Sequence, residues 1–286
     1  MNNFIRSLID KLPADYDPDE AKHVALLILQ HVTKQSRVQL LTDAPALGEQ
    51  QQAYLNQCVE RLCRHEPVQY VIGETDFFGL TMEVDRRVLI PRPETEELVA
   101  WLLSENGNEK KAFLDICTGS GCIAVALAKN RVGAHVMACD ISPDALAVAQ
   151  NNARRNGVHI HFFQADALVR DFAEKLPPVD VMVSNPPYVL ENEKEAMKPD
   201  VFDFEPSIAL FVPDADPLLF YRAIGNIALK KLKPRGALYL EINRAYGNEI
   251  VRLLTQTGFD NVQLRNDLSG NPRMIKAEKS RGGAQL

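Results

Sequence analysis

From Lys111 onward the chain alternates short apolar runs of strand character with amphipathic runs at helical spacing, and no other feature limits the fold as strongly. The pattern predicts strands over Phe113–Ile116, His135–Cys139, Ile160–Phe163, Val179–Val183 and Ala237–Ile242. It predicts helices over Cys122–Lys129, Pro143–Asn156, Pro217–Leu232 and Glu249–Thr257. Strands joined through helices run parallel, because each crossover returns the chain to the same end of the sheet. The expected class is α/β: a doubly wound, mostly parallel sheet with helices on both faces. Two final runs, Val262–Leu264 and Arg273–Ala277, flank a Gly-containing turn and read as a closing pair of strands.

The first part of the chain has a different period. Asp17-Pro18-Asp19-Glu20 joins a capping side chain, a first-turn proline and an acid, which is a helix start. Behind it Val24, Leu27, Ile28, His31 and Val32 repeat at helical spacing, and a second helix is expected from Gly48 through Leu62. Residues 1–75 are therefore read as a domain of about four helices. Residues 76–90, β-rich around Gly79, are read as a linking hairpin, and residues 91–286 as the α/β domain with a leading helix over Glu94–Ser104.

Composition narrows the function classes. Of 286 residues, 46% are hydrophobic and 24% charged, which excludes a disordered chain. The net charge is −6, and residues 1–90 carry nine bases against thirteen acids, so neither segment is a basic module for nucleic acid. No apolar run reaches the ~18 residues of a membrane span. The N-terminus lacks a signal-peptide pattern, and five cysteines with no CxxC pair, like six histidines with no HExxH, give no metal or disulfide signature. A cytoplasmic protein without structural metal is expected.

Leu114-Asp115-Ile116-Cys117-Thr118-Gly119-Ser120-Gly121 follows a strand and opens a helix. Glycines there let a ligand press on the backbone at the carboxyl edge of the sheet, where open α/β folds bind ligands. Asp140, nineteen residues past Gly121, ends the next strand and is placed to accept ribose hydroxyls. A dinucleotide fingerprint requires glycine where Cys117 and Ala124 stand. Asp115, just before the loop, would repel a pyrophosphate and attract an ammonium. These residues favour S-adenosylmethionine, whose methionine end carries an amino group and whose sulfonium is positive.

The run Val181-Met182-Val183-Ser184-Asn185-Pro186-Pro187-Tyr188 sets the chemistry. An apolar strand delivers Asn185 to the same sheet edge, and two prolines lock the backbone. The Asn185 side-chain oxygen and the Pro186 carbonyl can both accept hydrogens from one planar NH2 group, while Tyr188 offers a flat face to its conjugated carrier. Such a nitrogen is a poor nucleophile because its lone pair is delocalised. Two acceptors return electron density to it and aim it at a methyl donor, so the reaction depends on positioning and electrostatics.

Together these motifs resemble the class I S-adenosylmethionine-dependent methyltransferases, and more narrowly the HemK/PrmC family. The likeness also takes in Glu66-Pro67-Val68-Gln69-Tyr70-Val71-Ile72-Gly73, the segment Leu89-Ile90-Pro91-Arg92-Pro93-Glu94-Thr95-Glu96, and Asp267-Leu268-Ser269-Gly270-Asn271-Pro272-Arg273. The resemblance implies a seven-stranded sheet and methylation of the glutamine side-chain amide in the Gly-Gly-Gln motif of class-1 peptide chain release factors, with the helical domain gripping a protein substrate. It implies cofactor contacts from Cys117, Thr118, Gly119, Ser120, Gly121, Asp140 and Asn185, and a glutamine held by Asn185, Pro186, Pro187 and Tyr188. A monomer is expected. A sister branch, acting on a large-subunit ribosomal protein, has Ser-Pro after the arginine, and amino-group methyltransferases of adenine or cytosine share the tetrapeptide; both stand as alternatives. Asp166 reads either as a partner of the adenine amino group or as a solvated turn acid, beside Ala167 where some relatives have an aromatic. Arg92 and Glu94 are candidate substrate contacts, though Arg92 could equally brace the domains and Glu94 favour a helix N-terminus. Residues 189–216, long and polar, are read as a substrate-facing lid, and Cys122 and Cys139 as core.

Overall fold

A computed structural model describes residues 3–107, 110–196 and 203–280. The chain divides into two compact units. The first holds the described residues up to Glu74 together with Asp203 and Phe204; the second holds the remainder from Thr75.

The first unit is helical: α1 (Asn3–Ile9), α2 (Pro18–Thr33), α3 (Arg37–Thr42), α4 (Glu49–Leu62) and α5 (Val68–Ile72). The predicted start of α2 is present, with the Asp17 carboxylate accepting from the backbone N–H groups of Asp19 and Glu20 at 3.0 and 2.9 Å. Val24, Ala25, Ile28, Leu29 and Val32 on one stripe of α2 meet Ile5, Leu8, Leu55, Cys58 and Leu62 in a dry core. The expected count of about four helices misses one, because α3 and α5 span fewer than two turns and carry little periodicity. Arg61 ties α5 to α4: its guanidinium forks onto the Glu66 carboxylate at 2.7 and 2.9 Å and donates to the Tyr70 and Val71 carbonyls.

In the second unit a hairpin, β1 (Glu74–Phe77) and β2 (Leu80–Glu83), turns through Phe78 and Gly79, both at positive φ. It is shorter than the predicted 76–90. Helix α6 (Pro93–Glu105) follows. Then come β3 (Ala112–Ile116), α7 (Cys122–Asn130), β4 (His135–Asp140), α8 (Pro143–Arg155), β5 (His161–Gln164) and β6 (Val179–Ser184). After short strands β7 (Val189–Leu190) and β8 (Phe211–Val212) and the helix Leu219–Lys231 come β9 (Leu232–Glu241), the helix Gly247–Thr257, β10 (Phe259–Asn266) and β11 (Pro272–Lys279).

The main sheet has seven strands in the order β10-β11-β9-β6-β3-β4-β5. Pairs from β9 to β5 are parallel, while β11 is antiparallel to both β9 and β10. Successive side chains point to opposite faces, so Leu114, Met182 and Leu240 pack under one helical layer. Phe113, Val181 and Tyr239 pack under the other. The chain builds outward from β3 to β5, then crosses back to β6 on the other side of β3. Ligands of open α/β sheets bind at such a reversal, outside the strands' carboxyl ends. The loops after β3 and β6 are therefore brought together.

Residues 189–196 and 203–216 hold more regular structure than their composition suggests. β7 and β8 pair in parallel, Glu191–Ala196 is a 3₁₀ turn and Ser207–Leu210 one helical turn. The centre of the predicted lid, residues 197–202, lies outside the described residues.

Candidate active site

The loop leaving β3 turns through left-handed backbone at Cys117 (φ 59°), Gly119 (φ 53°) and Gly121 (φ 78°). Cys117 thus holds a conformation that favours glycine. Asp140, at the end of β4, fixes the loop: one carboxylate oxygen accepts from the Gly119 N–H at 2.8 Å, the other from the Ser142 N–H at 3.0 Å. Burial pushes the Asp140 carboxyl up, and these backbone donors oppose it.

The two glycines of the loop do different work. A Cβ on Gly119 would meet nothing within 4 Å, so its surface faces open space; a Cβ on Gly121 would come within 2.9 Å of the Ala149 Cβ. Gly121 is therefore a contact between α7 and α8 and is not among the residues lining the cavity.

That cavity, about 230 Å³, is lined by Cys117, Thr118, Gly119, Ser120, Asp140, Asp166, Ala167 and Asn185, all predicted for a cofactor. Arg92 and Pro187, predicted for substrate, also line it. Asp115 lies beneath the loop, fully buried. Its Oδ2 accepts from the Thr118 hydroxyl at 2.6 Å, and its Oδ1 has no hydrogen-bond partner among the described residues. Burial pushes this carboxyl up to about 7. Asp115 thus supports the loop from beneath through Thr118.

Asn185 ends β6 inside the cavity wall, and its Nδ2 donates to the Thr95 hydroxyl at 3.2 Å. Thr95 in turn donates to Glu241 Oε2 at 2.6 Å, and the Tyr188 hydroxyl donates to Glu241 Oε1 at 3.1 Å. Glu241 is 1% exposed. Burial pushes its carboxyl up; the two hydroxyls and the Arg273 charge push it back. Pro186 is buried, and neither it nor Tyr188 lines the cavity. Glu94 does not line it either, and bears on the charge of Glu241 and Arg273 instead. Arg92 pairs with the buried Glu205 carboxylate, which also accepts from the Ile90 N–H at 3.2 Å. Pro206, Ile208 and Ala209, just beyond, form part of the cavity wall.

Sequence reading passed over three residues here. Asn152, with no exposed surface, bonds the Glu83 N–H and carbonyl and the Ser120 carbonyl, joining the end of the hairpin to the loop. Nothing local marks it, since it reads as one more polar residue of an amphipathic helix. Thr95 lay inside a motif already noted, and Glu241 carries a signal: a lone acid closing the apolar run Leu238-Tyr239-Leu240 at the sheet's carboxyl edge.

Comparison with known proteins agrees with this geometry. Residues 94–202 match the family described as methyltransferase small domain, and residues 6–73 the PrmC N-terminal domain. A release factor glutamine methyltransferase of Flavobacterium psychrophilum is 42% identical over 282 residues, covering 96% of this chain and 98% of its own length. One from Bacteroides thetaiotaomicron is 39% identical over 98% of this chain and 100% of its own length. Among solved structures, the human METTL16 catalytic domain aligns with a TM-score of 0.56 at 17% identity, over 82% of each chain. A methyltransferase from Pyrococcus furiosus aligns with a TM-score of 0.52 at 16% identity, over 82% of this chain and all of its own. At such identity the likeness is one of fold, the class I methyltransferase sheet.

Proposed function

The chain belongs to the release factor glutamine methyltransferase family, and we propose on that premise that it methylates the side-chain amide nitrogen of the glutamine in the Gly-Gly-Gln motif of class-1 peptide chain release factors. Its methyl donor is S-adenosylmethionine. The observation that carries the reading is that Asn185 shares one cavity with the loop held by Asp140.

The residues present fit that donor. Gly119 opens its backbone to the cavity, which suits a ligand lying directly on the loop. Asp140 spends one oxygen on the Gly119 N–H of the loop and the other on the Ser142 N–H just beyond its own strand, and keeps lone pairs for ribose hydroxyls. Ile141 and Leu168, apolar and 42% and 41% exposed, border the cavity beside Asp166 and offer apolar contact to a purine. Bound there, the group supplies an activated methyl on a sulfonium.

Asn185 is assigned to the substrate amide through its Oδ1, and Pro186, between the cavity-lining Asn185 and Pro187, through its backbone carbonyl. Accepting both hydrogens of one NH2 group raises electron density on nitrogen without removing a proton first. It also fixes the direction of the lone pair, and orientation of this kind can supply several kcal/mol. Tyr188 keeps its ring near that corner while its hydroxyl is committed to Glu241. Arg92, held by Glu205, and Pro187 form the rim through which the glutamine enters.

The test is transfer of labelled methyl to a purified class-1 release factor, run beside ribosomal protein, duplex DNA and structured RNA. Label confined to the release factor, and lost when its Gly-Gly-Gln glutamine is changed, is the expected result. Label on either alternative with none on the release factor overturns the reading.

A further inference from the structure

We infer that Thr95 and Glu241 are positioning residues for methyl transfer, because together they fix which end of the Asn185 carboxamide faces the cavity. The inference rests on the functional reading above, in which Asn185 must present its oxygen to the substrate nitrogen.

The geometry determines the direction of the chain of hydrogen bonds. Glu241 receives two hydroxyls, Thr95 at 2.6 Å on one oxygen and Tyr188 at 3.1 Å on the other, so both of its oxygens act as acceptors. A hydroxyl has a single hydrogen. Thr95 gives its hydrogen to Glu241 and meets Asn185 with lone pairs only, and the Asn185 atom that can answer is the Nδ2 donor, at 3.2 Å. The carboxamide oxygen is then left for the cavity. Turned over, Asn185 would set its oxygen against the Thr95 lone pairs and offer hydrogens to a substrate NH2 that also has only hydrogens to offer. Thr95 and Glu241 are 2% and 1% exposed, so water does not compete for these partners. The surrounding fold holds the relay from two sides: Thr95 lies in the first turn of α6, and Glu241 ends β9, paired with Met274 of β11.

Thr95→Val keeps the shape and removes the acceptor. Its kcat is expected to fall about ten- to a hundredfold, the range for leaving one buried polar group unpaired. Affinity for S-adenosylmethionine and the KM for release factor should stay at wild-type values. Thr95→Ser should restore turnover. Glu241→Gln, near-isosteric, supplies a donor where the relay needs an acceptor and should lower kcat in the same sense, which covers the case where Thr95→Val does not fold. A second readout is independent of turnover: the side-chain ¹⁵N–¹H resonances of Asn185 in the ligand-free protein. They should shift in Thr95→Val and return in Thr95→Ser. Unchanged resonances in Thr95→Val, wild-type kcat in both Thr95→Val and Glu241→Gln, or a loss confined to cofactor affinity would each overturn the inference. A wild-type enzyme that leaves release factor unlabelled, while the resonances shift as expected, would count against the functional reading and not against the relay.

Discussion

The two halves of the cavity are built by different means. The loop after β3 is held by partners close in sequence or on the neighbouring strand: Thr118 on Asp115, and Asp140 on Gly119. The Asn185 corner is held by side chains remote in the chain, Thr95 from α6 and Glu241 from the end of β9. One wall is a local backbone motif and the other a tertiary assembly of side chains. The comparison teaches that damage to the first should appear as lost cofactor affinity, and damage to the second as lost turnover.

Asn185→Ala is the strongest trial of that division. It removes the acceptor itself, so kcat should fall on the order of 10²–10³-fold, as when one transition-state hydrogen-bonding group is deleted. Cofactor binding, followed by calorimetry, should be largely retained; a comparable loss of affinity would merge the two walls into one. Asp140→Ala attacks the other wall and should weaken S-adenosylmethionine about ten- to a hundredfold, since it deletes a charge-assisted bond to the loop and the proposed ones to the ribose. If its defect lay in kcat alone, the loop would have no separate role.

Stability measurements sharpen the picture on the loop side. Gly121→Val sets a Cβ within 2.9 Å of Ala149 in left-handed backbone, and should cost about 2–4 kcal/mol in denaturant unfolding. Asn152→Leu strips partners from Glu83 and Ser120 at once and should cost about 1–3 kcal/mol. The last effect is spread over pH. Burial pushes Asp115 up to about 7 against 3.8 for a free carboxyl. Between those values the folded chain keeps a proton that the unfolded chain has released, so this group's contribution to stability falls as pH rises from about 4 to 7. The Tm of the ligand-free protein should follow that slope, and Asp115→Asn should flatten it.

The same contrast explains what the amino-acid order disclosed. Strand and helix alternation from β3 to the helix Gly247–Thr257 was readable because period and burial agree in each element, and the loop was readable because its turn, acid and glycines are contiguous. At Gly121 the motif does not distinguish a glycine needed for a ligand from one needed for a neighbouring helix. The bond of the Tyr188 hydroxyl to Glu241, 53 residues away, had no local signal. Contacts across such separations follow from topology, and no local pattern encodes them. The 189–216 segment escaped for a related reason: β7 and β8 are two residues each and find their order only by pairing with one another.

Cys117 carries a consequence for the chemistry. It borders the cavity proposed for an alkylating reagent, and sulfur in its anionic form would be a better nucleophile than any amide. Burial, reinforced by the negative charge of Asp140, pushes its thiol well above the ordinary range. The sulfur therefore stays protonated at neutral pH. An enzyme with a thiol at this position can keep its reagent for the intended acceptor without methylating itself.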